Sequence, residues 1–338
     1  MSRVLLLTPS TFGYETRITE AVKHSGHDVR WHDERVGNSL LLKVLTRLRL
    51  IRYVPGIVSA HVQRILKAAD DLKAEVVFIV NPETLKGPDY QLIRKALPEA
   101  RIVIYKWDSI RQKPLDEETF QWVDDIYSFD PEDCQQDSRL MHWPLFHCHQ
   151  TDIINQDASG RDYKYDFAFV GSAHLRRIKL LATFEKTLKA EQRPYFFLLV
   201  SPSPIHHVLF LFARRWFGYS GTLTLQQLAY PDYLTVIEQS RCILDVEFQR
   251  QSGLTMRTVE VIFSGTPLMT TNPSLKGYEF YDRERMFFMD EHKIDVPRQT
   301  PTEQQIDLTL FEKHSITNWA SVIIDGAKGL TWNGSQWT

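Results

Sequence analysis

The segment CILDVEFQRQSGLTMRTVEVIFSGTPLMTTN, Cys242–Asn272, holds one full repeat of an α/β fold. Cys242 to Val246 reads as a buried strand, and MRTVEVIFSG places apolar residues at helical spacing before stopping at Gly265. A Gly-Thr-Pro turn then opens a second apolar run, Leu268 to Thr271. Two short apolar strands separated by one helix must be parallel, because a crossover helix returns the chain to the same edge.

The same alternation extends in both directions. Strands are expected in the first half at Val4 to Leu7, Val29 to Trp31, Val76 to Ile79, Ile102 to Lys106 and Ile126 to Ser128, with a helix over Thr16 to Ser25 closed by Gly26. Around Thr151 to Lys164 the chain turns polar and loses its period, and YDFAFVGSA starts a fresh strand. Further strands are expected at Tyr195 to Val200, Thr222 to Leu223 and Met286 to Phe288. A chain of 338 residues suits two domains. The expected division is residues 1–158 as an acceptor domain, 159–314 as a donor domain, a helix over 315–329 returning to the first domain, and a tail at 330–338. Each half is then a doubly wound sheet, which takes its ligand beyond the carboxyl ends of the strands.

Composition excludes several classes. Hydrophobic residues at 43% and charged residues at 24% describe a globular chain, neither disordered nor fibrous. With 40 basic and 42 acidic residues the net charge is −2, which gives no reason to expect a nucleic-acid partner. Three cysteines without C-x-x-C spacing argue for a reducing compartment, so a cytoplasmic location is expected. No apolar run reaches the length of a signal-peptide core or a membrane span.

The loop and helix start Gln251, Ser252, Gly253, Leu254 and Thr255 offer main-chain amides, two hydroxyls and the positive end of a helix dipole. That combination suits a diphosphate or a sugar. Glu260, one and a half turns inside, could accept two hydrogen bonds from a ribose diol; its plain alternatives are an ion pair with Arg257 or a solvated face. In FVGSAHLRRIK, Gly171 permits a turn and Ser172 follows it, while Arg176, Arg177 and Lys179 could neutralise a departing diphosphate. On the other half, Gly13 follows the first strand without the G-x-G-x-x-G of a dinucleotide site. Trp107 could stack on a sugar, and Asp108 is either a general base on an acceptor hydroxyl or a cap for Ser109 to Arg111.

These segments resemble a known family. LDVEFQRQSGLTMRTVEVIFSGTPLMTTN is similar to the donor-binding segment of GT-B glycosyltransferases, especially bacterial lipopolysaccharide and capsular polysaccharide biosynthesis proteins. YEFYDRERMFFM, KWDSIR, YSFDPEDC with its downstream WPLF, and DFAFVGSAHLRR match the same group in order, so the resemblance covers most of the chain. It implies two Rossmann-like domains facing across a cleft, no cofactor, and a ribose-binding role for Glu260. Many retaining members carry a glutamate eight positions before that residue; here Ser252 stands in its place.

Two other signals point elsewhere. MHWPLFHCHQ crowds His142, His147, Cys148 and His149, but adjacent side chains diverge on a strand and no second ligand pair has finger-like spacing, so no metal site is expected. Between Glu34 and Asp70 the chain has no acidic residue, and Lys43, Arg47, Arg49 and Arg52 lie among leucines. This segment and HHVLFLFARRWF, His206 to Phe217, are either crossover helices with basic outer faces or helices that lie on an anionic membrane surface. The expectation is a metal-independent glycosyltransferase that moves sugar from a nucleotide-sugar donor to a growing lipopolysaccharide, O-antigen or capsule glycan, free or lipid-linked. It would work in the cytoplasm or peripherally on the inner face of the cytoplasmic membrane. The rivals are a nucleotide-sugar epimerase of the same architecture and a non-catalytic nucleotide- or sugar-binding protein.

Overall fold

Runs such as VLLL, VVFIV and IVIY are apolar at successive positions, so both faces of these strands need cover. The computed structural model, which describes residues 1–10, 13–37, 42, 55–150, 162–247, 252–290, 297, 306–327 and 329–330, supplies it with helices. In order come β1 (Arg3–Leu7), α1 (Tyr14–His24), β2 (Asp28–His32), α2 (Pro55–Leu72), β3 (Val76–Val80), α3 (Gly87–Ala96), β4 (Arg101–Lys106), β5 (Asp125–Ser128), α4 (Pro131–Gln136) and β6 (Leu140–His142). There follow β7 (Phe167–Ser172), α5 (Leu175–Ala190), β8 (Tyr195–Val200), α6 (Pro204–Phe217), β9 (Thr222–Thr224), α7 (Tyr230–Glu238) and β10 (Ile243–Asp245). The last elements are α8 (Met256–Phe263), β11 (Leu268–Thr270), β12 (Met286–Phe288), α9 (Leu308–Lys313) and α10 (Ile316–Ile324).

The chain groups into two compact units: Met1–Cys148 with Arg250–Gly253 and Glu312–Thr338, and His149–Gln249 with Leu254–Phe311. Each unit carries one six-stranded parallel sheet. The residue 158/159 boundary, Gln251, the basic segment with Lys43, Arg47, Arg49 and Arg52, and the tail from residue 331 lie outside the described residues.

In the first unit the strand order is β2-β1-β3-β4-β5-β6, so the winding reverses between β1 and β3. Leu5, Leu7, Val77, Ile79, Ile102 and Ile104 share a core with Val62, Ile65 and Ala69 of α2 and with Tyr90 and Ile93 of α3. Phe78 and Tyr105 instead meet Trp319 of α10, with ring centroids 5.5 and 4.8 Å away, and Phe146 lies 4.5 Å from the same indole. Ser315 caps α10 by accepting from the Asn318 amide, and Arg101 donates to the carbonyls of Ile323 and Ile324 at its other end. The sixth strand, β6, had no counterpart among the strands expected from sequence. It is only LMH long, too short to show an alternation.

The second unit has the order β12-β11-β10-β7-β8-β9, with the reversal between β7 and β10. Phe167, Phe169, Phe197 and Leu199 of the sheet pack on Ile178, Leu181, Phe184 and Leu188 of α5 and on Phe210 of α6. A reversal point leaves a crevice beyond the carboxyl ends of the two strands flanking it. Those ends are Gly171 and Ser172 on β7 and Val246 and Glu247 after β10.

Candidate functional site

Three guanidinium groups gather at the reversal point of the second unit. Arg257, in the first turn of α8, donates Nε to the Val170 carbonyl at 2.7 Å and Nη1 to Asp245 at 2.9 Å. Arg177 of α5 donates through Nε to the Val246 carbonyl at 2.9 Å and through Nη1 to the Ser172 hydroxyl at 2.8 Å. Arg176 donates to the Glu247 carbonyl at 2.7 Å and pairs with its carboxylate at 3.4 Å. Burial, with Arg257 close by, pushes Arg177 down to about 9, and burial raises the Glu247 carboxyl. Burial leads both shifts; the neighbouring guanidinium of Arg257 adds to the one on Arg177, while Asp245 adds to the one on Glu247 and Arg176 opposes it. His174, the N-cap of α5, is held neutral: burial and the neighbouring arginines push it down to about 3.

Gly171 belongs to this arrangement for a reason other than the turn expected from sequence. It lies within β7, and a Cβ there would sit 2.3 Å from Arg257 Nη2 and 3.1 Å from the Phe169 ring. The missing side chain is the space the guanidinium occupies. Thr255 caps α8 by accepting from the Thr258 amide, and Thr258 and Thr270 donate to Asp245 Oδ2 at 2.7 and 3.1 Å. Leu254 is buried, whereas Ser172 and Lys179 are exposed.

Glu260 lies on the buried side of α8. The Tyr230 hydroxyl donates to Oε1 at 2.9 Å, and His149 Nε2 stands 3.1 Å from Oε2 and 2.7 Å from the Glu260 carbonyl. Neither plain alternative holds, because Arg257 pairs with Asp245 and the glutamate side chain is only 1% exposed.

Ser252 and Gly253 fall with the first unit. The Ser252 amide donates to Asp130 Oδ2 at 3.0 Å and its hydroxyl donates to Asp130 Oδ1. A Cβ on Gly253 would lie 2.6 Å from the Phe129 ring and 2.7 Å from the Phe129 carbonyl. The close approach that requires glycine here is therefore to Phe129.

At the carboxyl edge of the first sheet, Asp108 accepts from Asn81 Nδ2 at 2.8 Å and pairs with Lys113 at 2.7 Å. Lys113 also pairs with Glu83 at 3.0 Å, and Arg35 pairs with the same carboxylate at 2.9 Å. Asn81 holds a left-handed backbone, φ 49°, at the end of β3, a conformation few side chains other than asparagine tolerate. Beside it the buried Lys106 ends β4, and burial pushes its amine down to about 8. Gly13 takes a left-handed φ of 75° to start α1, and Trp107 meets the Tyr14 ring edge-on at 6.5 Å.

Sequence reasoning missed Asp245, Glu247, Asn81 and Lys106. A charged residue ending an otherwise apolar strand, as in ILD and IVIYK, was the signal that could have found two of them. Of the clustered His-Cys-His residues, His142 and His147 are buried in the first unit and His149 sits on Glu260. Among the described residues no group of three or more His, Cys, Asp or Glu is placed to hold a metal ion. No helix among them is long and apolar enough to cross a membrane.

Comparison with known proteins leaves the sequence without a match among family models or curated proteins. Solved structures do match over nearly the full length. The N-terminal domain of a Candida albicans trehalose-6-phosphate phosphatase is similar with a TM-score of 0.57 and 11% identity, covering 96% of each chain. A glycosyltransferase from Rickettsia africae gives 0.53 and 11%, covering 97% of this chain and 94% of that one. The UDP-GlcNAc 2-epimerase of Neisseria meningitidis, bound to UDP-GlcNAc, gives 0.50 and 10%, covering 96% and 99%. The fold is thus the two-domain α/β architecture that the GT-B resemblance implied, shared by transferases and epimerases alike.

Proposed function

We propose that this chain is a glycosyltransferase that takes its sugar from a nucleotide-sugar donor, with the diphosphate held by the second unit and the acceptor glycan by the first. The observation that carries the reading is the convergence of Arg176, Arg177 and Arg257 on the β7/β10 reversal point, where a doubly wound sheet takes up its ligand. Glycosyl transfer breaks the bond between the anomeric carbon and the diphosphate oxygen and forms one to an acceptor hydroxyl. Charge grows on the departing diphosphate, and guanidinium groups already fixed by backbone carbonyls stabilise it without reorganising. Arg176, Ser172 and Lys179 keep exposed surface for this contact, and the Thr255 end of α8 adds its dipole.

Glu260 binds the donor ribose in this proposal, the diol taking the place of the Tyr230 hydroxyl on Oε1. Asp108 accepts the acceptor proton if the configuration inverts, with Lys113 and Asn81 holding its carboxylate in place. Trp107 and Gly13 border the acceptor, which is a surface glycan, free or carried on lipid. The epimerase remains the second reading, because the Neisseria enzyme shares the fold and is bound to UDP-GlcNAc.

Calorimetric titration with a panel of nucleoside diphosphates, UDP first, tests the site. Tight binding that Arg176→Ala weakens at least about tenfold, the worth of one charge-assisted hydrogen bond, is expected. No binding by any nucleotide, or binding indifferent to Arg176, Arg177 and Arg257, would end the proposal. Interconversion of a nucleotide sugar incubated alone, followed by NMR, would replace transfer with epimerisation; slow hydrolysis without interconversion supports transfer.

A further inference from the structure

Helix α6 leaves most of its apolar surface in water. Phe210 is its one buried residue, seated in the second unit's core. Ile205 is 75% exposed, Phe212 71% and Trp216 85%, and Val208 and Leu209 are each more than half exposed. Positions 205, 208, 209, 212 and 216 follow the i, i+3, i+4, i+7 and i+11 spacing of one helix side. A helix that only covered a sheet would turn that side inward, and an exposed stripe of this size marks an interaction surface.

The exposed charges within α6 and α5 share one sign. α6 carries Arg214, Arg215 and two histidines and no acidic residue. α5, which packs against it, exposes Lys179, Lys186 and Lys189. The single carboxylate of α5, Glu185, is buried under hydrogen bonds from Tyr195 and Ser220.

We propose that α6 docks the protein on an anionic lipid bilayer, lying in the headgroup plane with its apolar stripe below and its cations against lipid phosphates. Its 14 residues reach about 21 Å, short of a bilayer's hydrocarbon core and suited to lying flat. Tryptophan at one end of the stripe fits the boundary between headgroups and acyl chains. A second copy of this chain is disfavoured as the occupant. A twofold contact would set the same surface against itself and bring these cations together. The proposal does not depend on the reaction; lipid-linked acceptors would give it a use.

Co-sedimentation of the full chain with vesicles of phosphatidylcholine, with and without phosphatidylglycerol, tests it. Binding to the anionic vesicles should exceed binding to neutral ones at least about tenfold and weaken with salt. The double substitution Phe212→Glu/Trp216→Glu should lower it by at least as much again with thermal unfolding unchanged. If those charges disturb folding, Phe212→Ser/Trp216→Ser carries the same test. Absence of vesicle binding, or wild-type binding by the double variants, overturns the proposal. Self-association in sedimentation velocity that the double variants abolish, without vesicle binding, overturns it in favour of a second copy.

Discussion

Replacing Gly171 with alanine should disable the arginine cluster without touching a charge. The new methyl would lie 2.3 Å from Arg257 Nη2, so the guanidinium has to leave. Its departure takes away the 2.7 Å bond to the Val170 carbonyl and the 2.9 Å pair with Asp245. Asp245 is completely buried and would keep only hydroxyl donors, Thr258 at 2.7 Å and Thr270 at 3.1 Å on Oδ2 and Thr255 at 3.3 Å on Oδ1. Stripping one partner from a buried pair costs about 3–5 kcal/mol, and the surviving hydroxyl bonds bring the expected loss to about 2–3 kcal/mol. At about 2–4 °C per kcal/mol, the melting temperature should fall by about 4–12 °C. Circular dichroism of Gly171→Ala, Arg257→Ala and the double variant closes the cycle. Once Arg257 is alanine, the nearest remaining contact of the methyl is the Phe169 ring at 3.1 Å, and the substitution should cost less than about 1 kcal/mol. Full stability in Gly171→Ala, or the same loss in both backgrounds, would refute the account of why this position is glycine.

Three further outcomes are expected. Burial pushes the Glu34 carboxyl up to about 7, so the folded state holds a proton the unfolded chain has lost, and this residue's contribution to stability falls as pH rises from about 4.5 to 7. Urea titrations should show Glu34→Gln gaining up to about 3 kcal/mol on wild type across that window, and parallel curves would refute it. Lys106, pushed down to about 8, has the opposite sign: stability rises from pH 8 toward 10.5, and Lys106→Met should remove the rise and stabilise the protein at pH 7. Trp319→Ala should cost about 3–5 kcal/mol in the first unit, seen as an early loss of near-ultraviolet signal; a cost below about 1 kcal/mol would contradict its place among Phe78, Tyr105 and Phe146.

Much of the fold was legible because both halves of the chain punctuate apolar runs with helical ones, and the strands expected from those runs are all present among the described residues. β6 escaped because three residues show no period, and two of them, Met141 and His142, open the histidine-rich stretch MHWPLFHCHQ. The arginines at the β7/β10 edge were legible as an excess of basic residues after a strand and a glycine. Their true partners were not, because Asp245, Val170 and Val246 come together only through the parallel pairing of β7 and β10. Ser252 shows the same limit. Its hydroxyl looked available to a phosphate, yet it is taken by Asp130, a residue 122 positions away that no local pattern connects to it.

The place of Trp319 in the first unit bears on how the protein is made. A chain leaves the ribosome from its amino end, so β1 to β6 emerge long before the indole that fills the space beside Phe78 and Tyr105. The first sheet must therefore wait, one face incomplete, while the whole of the second unit is synthesised. Chaperones that shield apolar surface would find their target there, on the nascent amino-terminal half.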